Sequence, residues 1–333
     1  MTLPAPTLPA APETVFPTPH RENTATPQSV ASLAAFSNPV FDQDFPDPDV
    51  LKVGDIYYAY ATNASSLNIQ VARSTDLVNW RLIRDALPVL PAWAVKSFGY
   101  AWAPEVIAHP AGEGYLMYFT ARFAIQQGGT QCIGVATSAT PEGPFRSRAE
   151  QPLICQSGQG GSIDPSSFVD ADGTRYLLWK NDGNSVGGQS WIYIQKIAAD
   201  GVTLLEEPVR LITADQRWEG ILVEGPTLWK QAGHYYLFYS ANDYTSPRYA
   251  AGWAVADDPL GPYEKPGEPF LETDLGTGIV GPGGQDVVIG HDGETWVLFH
   301  GWRPGGYRAM HLAKLEWDGE TPVAAVPTRE LVP

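Results

Sequence analysis

Five segments of this chain share one pattern at one spacing, and that repeat limits the fold more than any other feature. Each begins with a short polar or acidic step, runs into an apolar strand, crosses a Gly or Asp turn and returns through an aromatic-rich strand. They are DPDVLKVGDIYYAYAT from Asp47, APEVIAHPAGEGYLMYFTA from Ala103, DPSSFVDADGTRYLLWKN from Asp164, EGPTLWKQAGHYYLFYSAN from Glu224 and GQDVVIGHDGETWVLFHGW from Gly284. Successive units start 56, 61, 60 and 60 residues apart. A third strand of β type follows each: LNIQVARS, QCIGVATS, SWIYIQKI, RYAAGWAVA and RAMHLAKL. A unit of three or four antiparallel strands cannot bury both of its faces alone, so neighbours must stack about an axis. Five units predict an all-β, five-bladed β-propeller in a single domain over 37–333. The 33 glycines and 30 prolines agree, being well above the roughly 12 % of an ordinary globular chain. Residues 1–36, rich in Pro, Ala and Thr without periodicity, read as a flexible N-terminal tail.

In a propeller the innermost strand of every blade lines a central channel, so equivalent positions form a ring. Superposing the repeats at their first residue gives Asp47, Ala103, Asp164, Glu224 and Gly284, three of them acidic. One acidic residue before a proline is an ordinary turn former. Three on one axis repel one another and lose solvation, a cost that function explains better than folding does. Such crowding also raises the proton affinity of at least one carboxyl, which lets it act as an acid near neutrality. A pair with one ionised and one protonated carboxyl is what hydrolysis of a glycosidic bond requires.

Charge and hydropathy narrow the partners. With 21 Lys and Arg against 37 Asp and Glu, the net charge is −16, which repels nucleic acid and anionic membranes. No apolar run approaches the ~18 residues of a membrane span. The two cysteines, Cys132 and Cys155, either pair within one blade or remain free buried thiols. His109, His234, His291 and His311 lack metal-ligand spacing. GPGG at 281–284 reads as a tight turn before a strand, not a phosphate loop.

Several stretches are similar to glycoside hydrolase family 43: NPVFDQDFPDPDV near the start, WAPEV at 102–106, SIDPSSFVDADGTRYLLWK at 162–180, VEGPTLWK at 223–230 and RAMHLAKLEWDG near the end. The chain resembles that family over 38–325, and the resemblance implies a five-bladed propeller that hydrolyses α-L-arabinosides or β-D-xylosides with inversion. Carried over by position, it implies that Asp47 is the base that activates water, Glu224 the acid that protonates the leaving oxygen, and Asp164 the residue that keeps the acid protonated and oriented. It further implies that Arg308 holds the sugar in the deepest subsite, with Phe45 and Trp102 as aromatic walls. Many members carry Gly-x-Gly-His in the fifth blade, where this chain has Gly284. Gln285 or His300 is then expected at the axis beside the sugar. No cofactor is expected, and the departure speaks against a central calcium or sodium ion.

QCIGVATS, GGSIDPSSFVDADGTRYLLWKNDGN and GPGGQDVV look closest to exo-acting α-L-arabinofuranosidases. The reading is therefore a glycosidase that releases terminal α-L-arabinofuranose, with a β-D-xylosidase of the same family as the alternative. The end of the chain at Pro333, with no sandwich domain after the fifth blade, weighs against the two-domain xylosidases. A non-catalytic carbohydrate-binding propeller would be expected to lose one carboxyl. Fructoside-cleaving propellers would show other residues before Asp47 and Asp164 than Pro46 and Ile163. The expected partner is a plant cell-wall polysaccharide or oligosaccharide such as arabinan or arabinoxylan, with neither nucleic acid nor membrane, and a monomeric state. Family habit places it outside the cell, although the first residues do not read as a signal peptide; the cytoplasm is the alternative.

Overall fold

The computed structural model describes residues 36–124 and 129–327; the tail expected over 1–36 otherwise lies outside them. Each repeat is one antiparallel sheet. Blade 1 comprises β1 (Asp49–Val53), β2 (Ile56–Ala61), β3 (Gln70–Ser74) and β4 (Arg81–Asp85). Blade 2 has β5 (Ala101–Ala108), β6 (Tyr115–Arg122) and β7 (Gln131–Ser138). Blade 3 has β8 (Ser162–Val169), β9 (Arg175–Asn181), β10 (Trp191–Ile197) and β11 (Leu204–Thr213). Blade 4 has β12 (Val223–Gln231), β13 (His234–Ala241) and β14 (Ala250–Ala256), and blade 5 has β15 (Gly283–Ile289), β16 (Thr295–Arg303), β17 (Tyr307–Asp318) and β18 (Thr321–Ala325). The five-bladed propeller expected from the repeat is the fold observed.

Alternation of side chains along the second strands explains why these units stack. Successive residues of a strand face opposite sides, and both sides are apolar here. In β6, Leu116 and Tyr118 pack on blade 3 while Met117 and Phe119 pack on blade 1. In β13, Tyr235, Leu237 and Tyr239 meet blade 3, and Tyr236 and Phe238 meet blade 5. The ring closes where blade 5 meets Tyr57, Ala59 and Ala61 of β2. The core is thus five wedges between blades. Truncating one of the fully buried aromatic residues, such as Phe119, to alanine should cost about 3–5 kcal/mol.

Residues from both ends of the described chain complete blade 5. Phe41 pairs with Met310 on the first half of β17, and Asn38 bonds the backbone of Leu312 through both amide atoms. The second half of β17 pairs with β18. Phe36, assigned to the tail from sequence, instead meets the edge of Trp296 at 6.0 Å, so the fold begins at or before that residue. Cys132 of β7 and Cys155 are joined as a disulfide, beside the bridge between Ile133 and Ile154.

Candidate active site

Every inner strand enters through the same irregularity. Asp47, Ala103, Asp164, Gly225 and Gly284 have φ of 54°, 40°, 55°, 55° and 55°, and the pairing of β5, β8, β12 and β15 shifts register across the last four of them. A left-handed residue in a bulge turns the chain sharply, which re-aims the neighbouring side chains toward the axis. The backbone N–H of each is caught by the preceding blade. Ala103 N–H donates to Thr62 Oγ1 (2.8 Å), Asp164 N–H to Thr120 Oγ1 (3.2 Å), Gly284 N–H to Ser240 Oγ (2.8 Å) and Asp47 N–H to His300 Nδ1 (3.2 Å). Gly225 N–H is also caught by the preceding blade, but by the inner-strand Asp164 carboxyl, 3.1 Å away, and not by a side chain at the end of the second strand.

This construction corrects the ring read from sequence. Gly225, not Glu224, is the structural equivalent of Asp47, Ala103, Asp164 and Gly284; Glu224 sits one residue earlier, level with Trp102, Ile163 and Gly283. The proline that follows the left-handed residue at 48, 104, 165 and 226 was the available signal. Glu224 nevertheless reaches the same cavity, because the bulge points both residues around the axis. Asp47, Asp164 and Glu224 all line one cavity of about 470 Å³ at the channel mouth, a volume within the range of small-ligand sites.

The carboxyls differ in their surroundings. Burial would raise the proton affinity of Asp47, but the Arg308 guanidinium and the Thr62 hydroxyl outweigh it and hold the carboxyl well below the usual range. Arg308 Nη1 lies 3.4 Å from Oδ1, and Thr62 Oγ1 donates to Oδ2 at 2.6 Å. The guanidinium is held between the rings of Tyr244 and Trp302, at 5.1 and 5.9 Å, and Trp302 Nε1 donates to Tyr244 O at 2.7 Å. Asp164 is driven the other way. Burial and then the Glu224 charge raise it to about 8, against the opposing pull of Lys180 and the Gly225 N–H. Glu224 accepts from Lys180 Nζ at 3.0 Å on one oxygen and from Tyr249 O–H at 2.8 Å on the other. Asp164 thus retains its proton near neutrality, beside the Glu224 carboxyl.

The other expected residues divide. Trp102, Arg308 and Gln285 line the cavity. Gln285, however, is only 4 % exposed, and its amide is occupied by Gly225 O and Ser240 Oγ, so it ties blades 4 and 5 together and does not face a sugar. Phe45 forms no wall: it is fully buried against Phe41 while its neighbours Asp44 and Pro46 face the cavity. His300 is also fully buried, stacked on Tyr249 at 5.7 Å, and supports Asp47 from below. Because Nδ1 accepts the Asp47 N–H, and because burial and Arg308 lower its proton affinity, the imidazole is neutral. Lys180, Tyr249 and Thr62 escaped the sequence reading, since Lys180 lies within β9, and Thr62 and Tyr249 directly beside β2 and β14, strands whose pattern is that of core.

A second layer of acids lies two residues further along the inner strands. Asp49 accepts from Val106 N–H (2.9 Å), Glu105 from Ser167 N–H (2.9 Å) and Asp286 from Val50 N–H (2.8 Å). Each joins its blade to the next. With these acids engaged, and His300 turned to the Asp47 backbone, no three His, Cys, Asp or Glu side chains among the described residues are disposed to hold a metal ion.

The model of the glycosyl hydrolases family 43 matches residues 36–322. The chain belongs to that family. A thermostable family-43 glycoside hydrolase of known structure superposes with a TM-score of 0.77 at 34 % identity, covering 90 % of this chain and 98 % of that one. An extracellular endo-α-(1→5)-L-arabinanase of Thermotoga petrophila is 30 % identical over 70 % of this chain and 53 % of its own length. A β-xylosidase of Bacillus subtilis is 29 % identical over 86 % and 56 % respectively. The chain spans about half the length of these two curated relatives, and the family 43 match covers all five blades.

Proposed function

We propose that this chain is an inverting glycoside hydrolase that releases terminal α-L-arabinofuranose from arabinan or arabino-oligosaccharides. The observation that carries the reading is the division of labour in one cavity: an ionised Asp47 from blade 1, together with Glu224 from blade 4 and, from blade 3, an Asp164 that keeps its proton near neutrality. Asp47 accepts a proton from the water whose oxygen bonds to the anomeric carbon. Glu224 donates its proton to the glycosidic oxygen as the old bond breaks. One water is consumed, the configuration at the anomeric carbon inverts, and Asp47 and Glu224 exchange protonation states, to be restored through solvent. Asp164 fixes the strand beside Glu224 through Gly225 N–H.

Arabinofuranose is favoured by the motifs around Cys132, Asp164 and Gln285, and an arabinanase stands among the relatives. A relative named as a β-xylosidase favours the second reading, release of β-D-xylose. An extracellular place of action belongs to this proposal and is supported by the relative named as extracellular. The test pairs chromogenic arabinofuranoside and xylopyranoside substrates, with proton NMR of the first sugar released. Faster arabinofuranoside turnover with inverted product is expected, and Asp47→Asn should abolish it while the protein stays folded. Retained configuration, or an Asp47→Asn variant that still turns over, refutes the mechanism; faster xylopyranoside turnover replaces the sugar.

A further inference from the structure

The five-fold construction at the channel mouth is broken at one side chain. The acceptors that catch the next blade's left-handed residue stand at one equivalent position at the ends of the second strands: Thr62 just after β2, and Thr120, Ser240 and His300 within β6, β13 and β16, each with a lone pair to offer. The register of β8 with β9 puts Lys180 at that position in blade 3, opposite Ile163 as Thr120 is opposite Trp102. An ammonium has no lone pair. The Gly225 N–H must therefore find another acceptor, and it takes Asp164. The displaced ammonium, only 1 % exposed, reaches Glu224 Oε2 at 3.0 Å and Asp182 Oδ1 at 3.5 Å.

We propose that Lys180 is the positioning residue that assembles the acid side of this site: it forces Asp164 onto the Gly225 N–H and sets its charge against Glu224 to stabilise the carboxylate formed as the proton leaves. The inference rests on the reading of Glu224 as the acid. A buried lysine is costly unless paired, and a core residue that merely filled space would be threonine or serine, as in blades 1, 2 and 4. Around the Asp164–Glu224 pair stand Lys180 of β9, Asp182 just after it, Tyr249 before β14, Asp47 and Arg308 from blades 1 and 5, and neutral His300 of β16. Lys180 is the cation in direct contact with the pair. Its loss therefore lets Asp164 hold its proton to higher pH.

The test compares Lys180→Met, Lys180→Thr and Lys180→Arg on the full chain, with a melting curve for each. Lys180→Thr restores the acceptor used in blades 1 and 2 and serves where methionine fails to fold. Both neutral variants should lose about 10²-fold in kcat with KM within about threefold, and the basic limb of the pH profile should move up by about one pH unit or more. Lys180→Arg should recover at least about tenfold. In parallel, Glu224→Gln is assayed with a good aryl leaving group and a poor alkyl one; an acid role predicts a larger loss with the poor one. If Glu224→Gln behaves as an acid variant while Lys180→Met or Lys180→Thr keeps kcat and the basic limb, the Lys180 assignment alone is overturned. If Glu224→Gln loses nothing on either substrate, the acid reading falls and takes this inference with it.

Discussion

Arg308→Leu should bring into view an acid limb that the wild-type enzyme hides. In the native site the guanidinium, 3.4 Å from Asp47 Oδ1, attracts the carboxylate by about 5 kcal/mol at an effective dielectric of about 20. The Asp47 side chain is 24 % exposed, so solvent discounts that figure, and the shift typical of such pairs is about 1–3 pH units. The sign follows from which form the cation favours. Arg308 stabilises ionised Asp47 and depresses its pKa, so the variant's base titrates at higher pH and activity is lost earlier on acidification. The assay is kcat/KM against pH on a chromogenic arabinofuranoside, restricted to the range in which circular dichroism shows the protein folded. Wild type should show no acid limb down to the edge of that range, and Arg308→Leu should show one about 1–3 pH units above the wild-type position. A lower kcat/KM with an unmoved acid limb would mean that Arg308 only binds sugar, and the electrostatic account of Asp47 would be refuted.

Asp164→Asn keeps an acceptor for Gly225 N–H but removes the carboxyl that holds its proton to about 8 beside Glu224; kcat should fall about 10²–10³-fold and the basic limb move to lower pH, and an unmoved limb counts against that role for Asp164. Asp286 is raised by burial and by Glu105 to about 7; its stabilisation is complete below its unfolded pKa and is lost as pH rises through 7. Asp286→Asn should therefore flatten a decline of about 2–4 kcal/mol across that window, read by urea unfolding at several pH values. His311, stacked on Phe299 at 5.5 Å, is lowered by burial to about 4, so stability present above pH 6.5 drains as pH falls toward 4, by about 3 kcal/mol. His311→Phe should remove most of that acid loss, and an unchanged acid slope would show that another group is responsible.

The repeat, the outward and inward faces of each second strand, and the Asp-Pro and Glu-Gly-Pro steps are local patterns, and so the propeller and its three acids were legible in one dimension. Two things were not. The left-handed bulge slides Glu224 one place from the ring position that the repeat suggested, because the conformation follows the residue before proline and not the acidic side chain. Phe45 and His300, read as facing sugar, face the core, because strand entry and not residue type sets which side is wet. The partners that make the acids different lie far along the chain: Arg308 and His300 of blade 5 on Asp47, Lys180 of blade 3 on Glu224, and Tyr249, between β13 and β14 of Glu224's own blade, on the same carboxylate. Sequence order determined how many blades there are and which acids each one supplies. Only closure of the ring decided which acid keeps its proton, since proton affinity depends on charges a few ångströms away that lie 25 to 261 residues apart along the chain.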